Sequence, residues 1–429
     1  MVGIYVRRQP VLLLKDPDLI KTVLIKDFTK FSNRGLRVNE TAEPLSQHLF
    51  SLEPKRWRPL RMRLSPTFTS GKLKEMFSLI VECSNTLETY LDKLVTKEEP
   101  IDCRELAAQF TTDVIGSCVF GINMNAMSKE GSIFREVGKD FFTTDWKQLW
   151  RTRLRESIPW LYTLVGYVIP PDKLSQFFQK AVLDMMEYRR KNQVVRHDFI
   201  DTLIDLQDHS EKLGDIELTE PLLAAQAFVF FVAGFETSSS TISNALYELA
   251  QNQDIQDKLR EEIREHHALN KGEWLYENIK RMPYLDAVFK ETLRKFPPLP
   301  LVLRKSVDSY TFERTKLTIP KDTRVFISVY GIHHDPEIYP NPEVFDINRF
   351  KEDIAATRHP MHYLPFGDGP RNCIGARFAV FQTKIGLIQI LRNFKVDVCK
   401  ETQIPYIVQP GGFLLAPTHG INLKVTKVE

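Results

Sequence analysis

Residues 365–375 read Pro365-Phe366-Gly367-Asp368-Gly369-Pro370-Arg371-Asn372-Cys373-Ile374-Gly375. Glycine permits positive φ and proline fixes φ near about −65°, so this density of both residues predicts an irregular, rigid loop. Apolar residues then recur at helical spacing, at Phe378, Phe381, Ile385 and Ile388. The loop therefore places Cys373 at a helix N-terminus, where the helix dipole favours a thiolate over a thiol.

Cys373 leaves several chemistries open. A Gly-rich turn around a small buried cysteine is the commonest explanation of such a residue. Zinc needs further ligands, and no second Cys or His lies at ligand spacing near Cys373. A cysteine nucleophile is conceivable, but no obvious base is assigned to it. The residues alone favour either a structural thiol or one sulfur ligand offered to a metal.

The fixed positions of the loop, Phe366-x-x-Gly369-x-Arg371-x-Cys373-x-Gly375, resemble the haem-binding signature of the cytochromes P450 at every position. The resemblance implies that Cys373 ligates the iron of haem b as a thiolate, which is the known ligation of that family. It assigns four further loop residues to the same cofactor: Phe366, Gly369, Arg371 and Gly375. It also implies a mostly α fold with small β-sheets, built as one triangular domain over residues 1–429.

Composition and charge limit the classes of function. Hydrophobic residues make up 43% and charged residues 26% of the 429 residues, as in ordinary soluble globular proteins. A net charge of +3 is too small to indicate a nucleic-acid partner. The five cysteines are odd in number and unevenly spaced, which argues against a disulfide framework and indicates a reducing, cytosol-facing environment. The longest apolar run, Leu222 to Phe235, is shorter than the roughly 18 residues of a membrane span and predicts a buried helix.

The N-terminal part of the chain predicts a hairpin followed by a helix. Val2–Val6 and Pro10–Leu14 are typical of short strands. Asp16 as N-cap and Pro17 at the first helical position predict an amphipathic helix that continues through Phe28. Residues 31–50 predict a long loop, and loops of that length in compact domains are usually functional or mobile.

A basic helix is predicted next, with five basic residues in the nine positions 55–63. Most such runs are solvated helix faces. Trp57 and Arg61 lie four residues apart and therefore share one side of the helix. The family resemblance implies that these two residues contact a haem propionate. The outward cations, Arg58 and Arg63 among them, would then steer an acidic redox partner towards the protein.

A long helix is predicted from its N-cap Thr219 to Gln251. One stripe of this helix carries four residues at helical spacing: Phe230, Gly234, Thr237 and Thr241. Glycine inside a helix costs roughly 1 kcal/mol relative to alanine, and close approach of a flat ligand at Gly234 would offset that cost. A buried helix with a tolerated glycine is the simpler explanation. The Thr237 hydroxyl is predicted to donate to the Ala233 carbonyl.

The segment Ala233-Gly234-Phe235-Glu236-Thr237 resembles the Ala-Gly-x-(Asp/Glu)-Thr motif of the same family. The resemblance implies that Thr237 and Glu236 are catalytic residues that relay protons during the activation of O2. It further implies that Ala233 and Gly234 lie beside the haem.

Glu291 and Arg294 are three residues apart on a helix predicted over Pro283–Phe296. The usual explanation is an exposed ion pair worth under ~1 kcal/mol. The family resemblance instead implies a buried network, closed by Arg349, that serves folding and haem retention. Breaking such a network by removing one member costs ~3–5 kcal/mol. Arg304, on a predicted strand, matches a family position that pairs with a haem propionate.

The segment Ile158–Pro170 is apolar and aromatic and is bounded by prolines and basic residues. It predicts either ordinary core or a patch that lies in a bilayer interface, where Trp and Tyr are favoured. The family resemblance supports the membrane patch. Four other segments are expected to wall a substrate pocket: residues 36–50, Phe228–Phe235, Pro298–Val302 and Gly411–Leu415.

The chain as a whole resembles the insect microsomal, xenobiotic-metabolising branch of the family without its N-terminal membrane anchor, hinge and first helix. The resemblance implies an unspecific monooxygenase at the cytosolic face of the endoplasmic reticulum membrane. The enzyme would insert one atom of O2 into lipophilic small molecules such as xenobiotics, plant toxins, insecticides or endogenous lipids. Electrons would come from NADPH through NADPH–cytochrome P450 reductase, with cytochrome b5 as a further candidate donor.

Two alternatives stay open. One is a haem-thiolate isomerase or dehydratase that works without a reductase, and the other is a truncated, non-catalytic binder of haem or lipophiles. Thr237 and the basic face around Trp57 argue against the isomerase or dehydratase, because such enzymes need neither dioxygen activation nor electrons.

Overall fold

The computed structural model describes residues 1–128, 132–142, 146–168, 173–213 and 216–428. Within these residues the chain forms sixteen α-helices: α1 Pro17–Lys21, α2 Pro54–Leu64, α3 Ser70–Val95, α4 Cys103–Ile115, α5 Ile133–Phe142, α6 Trp146–Ser157, α7 Pro159–Val168, α8 Lys173–Asn192, α9 Phe199–Asp208, α10 Glu220–Gln251, α11 Gln253–Leu269, α12 Tyr276–Ile279, α13 Pro283–Lys295, α14 Val329–His333, α15 Glu352–Thr357 and α16 Ala376–Asn393. The same residues form nine strands: β1 Val2–Val6, β2 Gln9–Leu14, β3 Ile101–Asp102, β4 Leu301–Lys305, β5 Tyr310–Phe312, β6 Leu317–Ile319, β7 Arg324–Ser328, β8 Phe394–Asp397 and β9 Asn422–Lys427. The predicted class, mostly helical with small sheets, is confirmed.

The strands form three small sheets. The largest has the order β1-β2-β7-β4, in which β2 and β7 run parallel and the other pairs run antiparallel. Its register places Leu12 opposite Val325 and Arg304 next to Val325 on the other side. This register brings β4, which carries Arg304, into the same sheet as the N-terminal hairpin. The other sheets have the orders β3-β9-β8 and β5-β6.

Helix α10 is the centre of the core. Thr219 caps it by accepting a hydrogen bond from the Leu222 amide, as predicted. Its length and composition would allow it to cross a membrane, but 78% of its most apolar window is buried inside the protein. Among the described residues it is therefore a core helix, as its run of apolar residues predicts. It packs along α4 on one side and against α16, which follows the cysteine loop, on another.

The first helix is shorter than predicted. Asp16 caps α1 by accepting from the amides of Asp18 and Leu19, as expected. The prediction that the helix continues through Phe28 is wrong, because a π-helical turn follows over Thr22–Lys26. Val23 and Leu24 of this turn are nevertheless buried, whereas Ile25 is exposed, so the amphipathic pattern identifies the buried side and misses the change of backbone hydrogen bonding.

Candidate functional site

The candidate site is an apolar cavity of 240 Å³ between α10, the cysteine loop, β4 and α2. Cys373 and Thr237 both line it. Three of the four predicted pocket walls contribute lining residues: Leu49 and Phe50 from the long loop, Val229, Phe230, Ala233 and Gly234 from α10, and Pro298, Leu299, Leu301 and Val302 before and within β4. The cavity therefore brings together segments that lie up to several hundred residues apart in the chain.

The fourth predicted wall, Gly411–Leu415, does not line this cavity. Phe413 instead contacts the outer side of the wall, where its ring meets that of Phe50 edge-on at 5.9 Å between centroids. The Leu415 amide donates to the Pro298 carbonyl and holds the segment in place. The C-terminal segment thus packs against residues that line the cavity and is not itself part of the lining.

The cysteine loop is rigid for reasons that its sequence predicts. The Cys373 amide donates to the Phe366 carbonyl at 2.9 Å and closes the loop. Gly369 has φ +72°, and a Cβ there would lie 1.9 Å from the Leu24 carbonyl oxygen. No other residue fits at this position, since both the backbone conformation and the space exclude a side chain. Helix α16 begins at Ala376, so Cys373 lies just before a helix N-terminus, as predicted.

The thiol of Cys373 is exposed to the cavity, deep within the protein. Burial raises its pKa, against the opposing effects of the Gly375 amide and of the Arg61 and Arg34 guanidinium groups. The Gly375 amide favours the thiolate, as expected just before a helix, but desolvation is the larger effect on this pKa. A cation bound to the sulfur would reverse that balance, since coordination deprotonates a thiol outright.

Buried arginines surround the cavity. Arg304 and Arg371 are each 2% exposed, and burial lowers the pKa of Arg304 to about 10 and that of Arg371 to about 9. Among the described residues, Arg304 Nε and both Nε and Nη1 of Arg371 have no hydrogen-bond partner. Buried charges without partners are costly, so these nitrogens indicate a missing anion. The two carboxylates of haem fit this requirement, and the residues present therefore fit the cofactor.

Arg371 is held in place by two contacts. Its Nη2 donates to the Leu52 carbonyl at 2.8 Å, and its guanidinium lies 4.2 Å from the centre of the buried Trp57 ring. Trp57 thus holds the Arg371 guanidinium against the face of its ring. Arg61, four residues further along α2, donates to the backbone and side-chain oxygens of Asn372 at 3.1 and 3.0 Å. The predicted pair therefore reaches the cavity, and Arg61 also braces the cysteine loop.

A further cation, Arg34, belongs to the site and has no counterpart in the sequence prediction. It donates to the Phe50 and Arg371 carbonyls at 3.0 and 2.8 Å. Burial lowers its pKa well below the usual range, and the guanidinium groups of Arg304, Arg371 and Arg61 lower it further. A single arginine in an irregular loop has no periodicity or motif, so no signal in the sequence points to it.

Ala233, Gly234 and Thr237 of α10 line the cavity, as the motif predicts. Thr237 Oγ1 donates to the Ala233 carbonyl at 2.7 Å, as predicted, and both residues line the cavity. A Cβ at Gly234, however, would lie 2.3 Å from Ile115 Cδ1 of α4. Close packing of α4 on α10 therefore also accounts for this glycine, in addition to its place in the cavity wall.

Glu236 does not line the cavity. Its carboxylate is 6% exposed and forms an ion pair of 2.5 Å with Arg104 of α4. Adjacent residues of a helix point about 100° apart, which explains why Thr237 lines the cavity while Glu236 faces α4. The Glu236 side chain therefore does not reach the cavity in this conformation.

The buried charge network is present. Arg294 donates through Nε and Nη2 to Glu291 at 2.8 Å each, and both side chains are fully buried. The Asp346 amide donates to Glu291 at 3.0 Å, and Arg349 Nε lies 3.5 Å from the same carboxylate. His333, which the sequence analysis did not assign, completes the network by accepting from Arg294 through its carbonyl. The exposed-pair explanation of Glu291 and Arg294 is thereby wrong.

Helix α7, which forms most of the described part of the apolar segment, is exposed rather than core. Trp160, Leu164 and Tyr167 are 66%, 53% and 74% exposed, and Val168 beside them is exposed too. Tyr162 is buried on the opposite side. The explanation as ordinary core is therefore wrong. Ile169 and Pro170, the end of the predicted segment, lie outside the described residues.

A larger cleft of 690 Å³ lies elsewhere, between α3, the end of α4 and residues 196–198. It contains Cys83 and Cys118, but burial raises the pKa of Cys83 to about 11 and that of Cys118 well above its usual range. Both are therefore inert thiols at neutral pH. The described residues hold no group of three His, Cys, Asp or Glu that could bind a metal, and all five cysteines are free.

A helical fold around an apolar cavity, with Cys373 at one wall and buried arginine nitrogens that find no partner among the described residues, is suited to a group that carries negative charge beside a sulfur ligand. The Cytochrome P450 family model matches residues 1–425. The chain belongs to this family and is a cytochrome P450 monooxygenase.

Insect proteins are among its relatives. It is 44% identical to "Probable cytochrome P450 6a14" of Drosophila melanogaster, with 100% of the chain and 87% of the relative aligned. It is 42% identical to "Cytochrome P450 6A1" of Musca domestica over 99% of the chain and 85% of the relative. It is 39% identical to "Cytochrome P450 6k1" of Blattella germanica, over 99% and 84% respectively. The predicted resemblance to insect members of the family is confirmed.

Proposed function

We propose that this enzyme inserts one oxygen atom of O2 into lipophilic small molecules, using haem b and electrons that a reductase draws from NADPH. The observation that carries the proposal is the apolar cavity, which has Cys373 at one wall and the Thr237 hydroxyl at another. Haem held by a cysteine thiolate supplies the chemistry of O–O bond cleavage in this family. Phenylalanine, leucine and valine side chains in the walls favour lipophilic substrates, for which we propose xenobiotics, plant toxins, insecticides or endogenous lipids.

The chain's own residues divide the work of holding the cofactor. Cys373 provides the sulfur ligand, and the loop residues Phe366, Gly369 and Gly375 fix its position. The cations beside the cavity bind the carboxylates: Arg34, Arg61, Arg304 and Arg371. Ala233 and Gly234 contribute apolar lining from α10. All of these residues hold the cofactor, so we expect substitutions among them to lower haem content more than they change substrate selectivity.

Thr237 is proposed to hold a proton at Oγ1 in the cavity. In this structure that proton is donated to the Ala233 carbonyl, and the hydroxyl keeps lone pairs that can accept from water. Glu236 is proposed to be the remote end of the same proton path. Its ion pair with Arg104 has to open before the carboxylate can exchange a proton with water in the cavity. Glu291, Arg294 and Arg349 are assigned to folding and haem retention.

Two surfaces are proposed for partners. Lys55, Arg58 and Arg63 are exposed on α2, behind the cysteine loop, and offer a positive face to NADPH–cytochrome P450 reductase or cytochrome b5. The exposed apolar side of α7 is proposed to lie in the interface of the endoplasmic reticulum membrane, on its cytosolic face. We assign the described chain to one catalytic domain.

The test is a set of spectra and turnover measurements on the haem-loaded protein. Carbon monoxide added to the reduced protein should give the red-shifted Soret band of thiolate ligation, and Cys373→Ala should abolish it. Thr237→Val should uncouple NADPH oxidation from product formation, whereas Thr237→Ser should stay coupled because it keeps the hydroxyl. Unchanged coupling in Thr237→Val would contradict the proton role.

The same measurements separate the alternatives. An isomerase or dehydratase would turn over without reductase and NADPH, and a non-catalytic binder would show substrate-induced spectral shifts without any NADPH oxidation. Charge reversal at Arg58 and Arg63 should slow reduction most at low salt, since exposed charges are screened within about 10 Å at 0.1 M. A rate that does not depend on salt would contradict docking at this face.

A further inference from the structure

A second cavity shares Arg34 with the cofactor site. It has a volume of 120 Å³, and four of its eight lining residues are arginines. Besides Arg34 these are Arg37, Arg155 and Arg324, with Gly35, Leu36, Leu303 and Phe326 completing the wall. A water molecule occupies about 30 Å³ in the liquid, so a cavity of this size has room for one phosphate group. We call it the arginine cavity.

Positive charge dominates the surroundings of the arginine cavity. Arg155 forms an ion pair of 2.7 Å with Glu43, and Arg34 donates to the Phe50 and Arg371 carbonyls. Lys305 lies directly across the β4–β7 pair from Arg324, and its own partner is Asp322 at 2.6 Å. Burial lowers the pKa of Arg324, and the nearby charges of Arg37 and Arg7 lower it further. The cavity is therefore an electrostatic site for an anion.

The arginine cavity lies at the base of α7. Arg37 donates to the Arg155 carbonyl at 3.0 Å, and Arg155 is four residues before the first residue of α7. Asn39 donates to the Thr163 hydroxyl of α7 at 2.9 Å. A Cβ at Gly166 of α7 would lie 2.7 Å from Ala42, so the helix packs directly on the loop that carries Arg37. The cavity and the helix are thus parts of one continuous surface.

The outer side of α7 matches an interfacial helix. Trp160, Leu164 and Tyr167 recur at positions i, i+4 and i+7 and form one exposed apolar stripe. Tyr5 of β1 is 77% exposed, two residues from Arg7, whose charge acts on Arg324. Aromatic side chains next to arginines are typical of surfaces at the level of lipid headgroups. This surface therefore joins an apolar stripe suited to a bilayer with a cationic cavity at its edge.

We infer that the arginine cavity binds the phosphate of an anionic lipid headgroup while the apolar stripe of α7 lies in the bilayer interface. The inference rests on the membrane association proposed above and names the lipid chemistry that it selects. Guanidinium groups bind phosphate through paired N–H donors, which makes arginine the suitable residue here. A soluble phosphate would need no apolar stripe beside it, and this is why we commit to the lipid.

The test uses the full chain and sedimentation with vesicles. One set contains phosphatidylcholine alone, and the other contains phosphatidylcholine with phosphatidic acid. The Arg37→Gln/Arg324→Gln variant should bind the anionic vesicles about 25-fold more weakly than the parent, since one cation at an anionic surface contributes about fivefold. Its binding to phosphatidylcholine should be unchanged. The control Lys258→Gln/Arg281→Gln removes the same charge from exposed positions on α11 and before α13, and should keep the parent's preference.

The outcomes separate this inference from the membrane proposal. Trp160→Ser/Tyr167→Ser should weaken binding to both kinds of vesicle. A parent chain that binds neither kind overturns both proposals. Equal losses in the arginine variant and its charge-matched control overturn the headgroup site alone, because they show diffuse attraction. If inorganic phosphate binds the parent but not the arginine variant, and the two bind vesicles equally, the cavity is a site for soluble phosphate and the inference is also overturned.

Discussion

Arg371 carries a buried charge that should destabilise the protein whenever the cofactor is absent. Its pKa is lowered from 12.5 to about 9, first by burial and then by Arg304. At 1.36 kcal/mol for each pH unit, the charged form is disfavoured by roughly 5 kcal/mol in the folded chain. Both pKa values lie above 7, so Arg371 is protonated in the folded and unfolded chains and this penalty is fully present at neutral pH; it disappears only as pH rises from 9 towards 12.5.

Arg371→Met removes the charge and keeps most of the side-chain volume. It also removes the contact with the Trp57 ring, worth about 0.5–2 kcal/mol, and the bond to the Leu52 carbonyl, worth about 1 kcal/mol. The apoprotein should therefore become more stable by about 2 kcal/mol. The haem-loaded protein should respond in the opposite direction. Losing a charge-assisted hydrogen bond of about 1.5–3 kcal/mol should release haem roughly 10- to 150-fold faster.

Two assays check the two signs. Urea denaturation of the apoprotein, followed by tryptophan fluorescence, gives the free energy of unfolding. Decay of the Soret band in the presence of an excess of a haem scavenger gives the rate of haem release. Arg377→Met is the matched control, because Arg377 is exposed and lies only four residues beyond Cys373. A less stable Arg371→Met apoprotein with unchanged haem release would refute the argument that Arg371 awaits an anion.

Three further predictions follow from the buried network, a buried histidine and the cysteine loop. Glu291→Ala should destabilise the protein by about 3–5 kcal/mol in urea denaturation, because it leaves Arg294 buried without its carboxylate. The double variant Glu291→Met/Arg294→Met should recover part of that loss. A double variant less stable than the single one would contradict the pairing. Burial lowers the pKa of His333 from 6.5 to about 3, so its contribution to stability is fully present above pH 6.5 and is lost as pH falls towards 3. The loss amounts to about 2 kcal/mol by pH 5. His333→Gln should reduce the slope of unfolding free energy against pH, and an unchanged slope would show that His333 does not cause the pH dependence. Gly367 and Gly369 both have positive φ, but only a Cβ at Gly369 meets a backbone carbonyl, so Gly367→Ala should cost about 1–2 kcal/mol while Gly369→Ala should prevent haem incorporation; equal haem content in the two purified variants would argue against the steric explanation.

The parts of the fold that could be predicted are those encoded locally. Asp16 and Thr219 cap their helices as their side chains predict, and the Thr237 hydroxyl bonds four residues back as a helical threonine does. These contacts depend on spacing within a few residues, which the sequence shows directly. The cysteine loop was predictable for the same reason, because its glycines and prolines restrict the backbone wherever the loop lies.

The parts that could not be predicted depend on what packs against a residue. Gly234 and Glu236 have the right positions in the motif, but the first is required by Ile115 and the second is paired with Arg104. Both partners lie on α4, more than one hundred residues earlier in the chain. The helical pattern of a segment shows which residues share a face, and it does not show which other helix that face meets.

The buried arginines show how packing, which the sequence does not reveal, can point to a ligand. Arg294 and Glu291 lie three residues apart and form an ion pair with each other, so the spacing in the sequence predicts the contact that the structure shows. Arg304 and Arg371 are buried as deeply, yet the described residues supply no partner for three of their nitrogens. A folded chain tolerates a buried charge only when something compensates it. Where the compensating group is not part of the chain, the unmatched charge marks the place and the sign of the molecule that the protein binds.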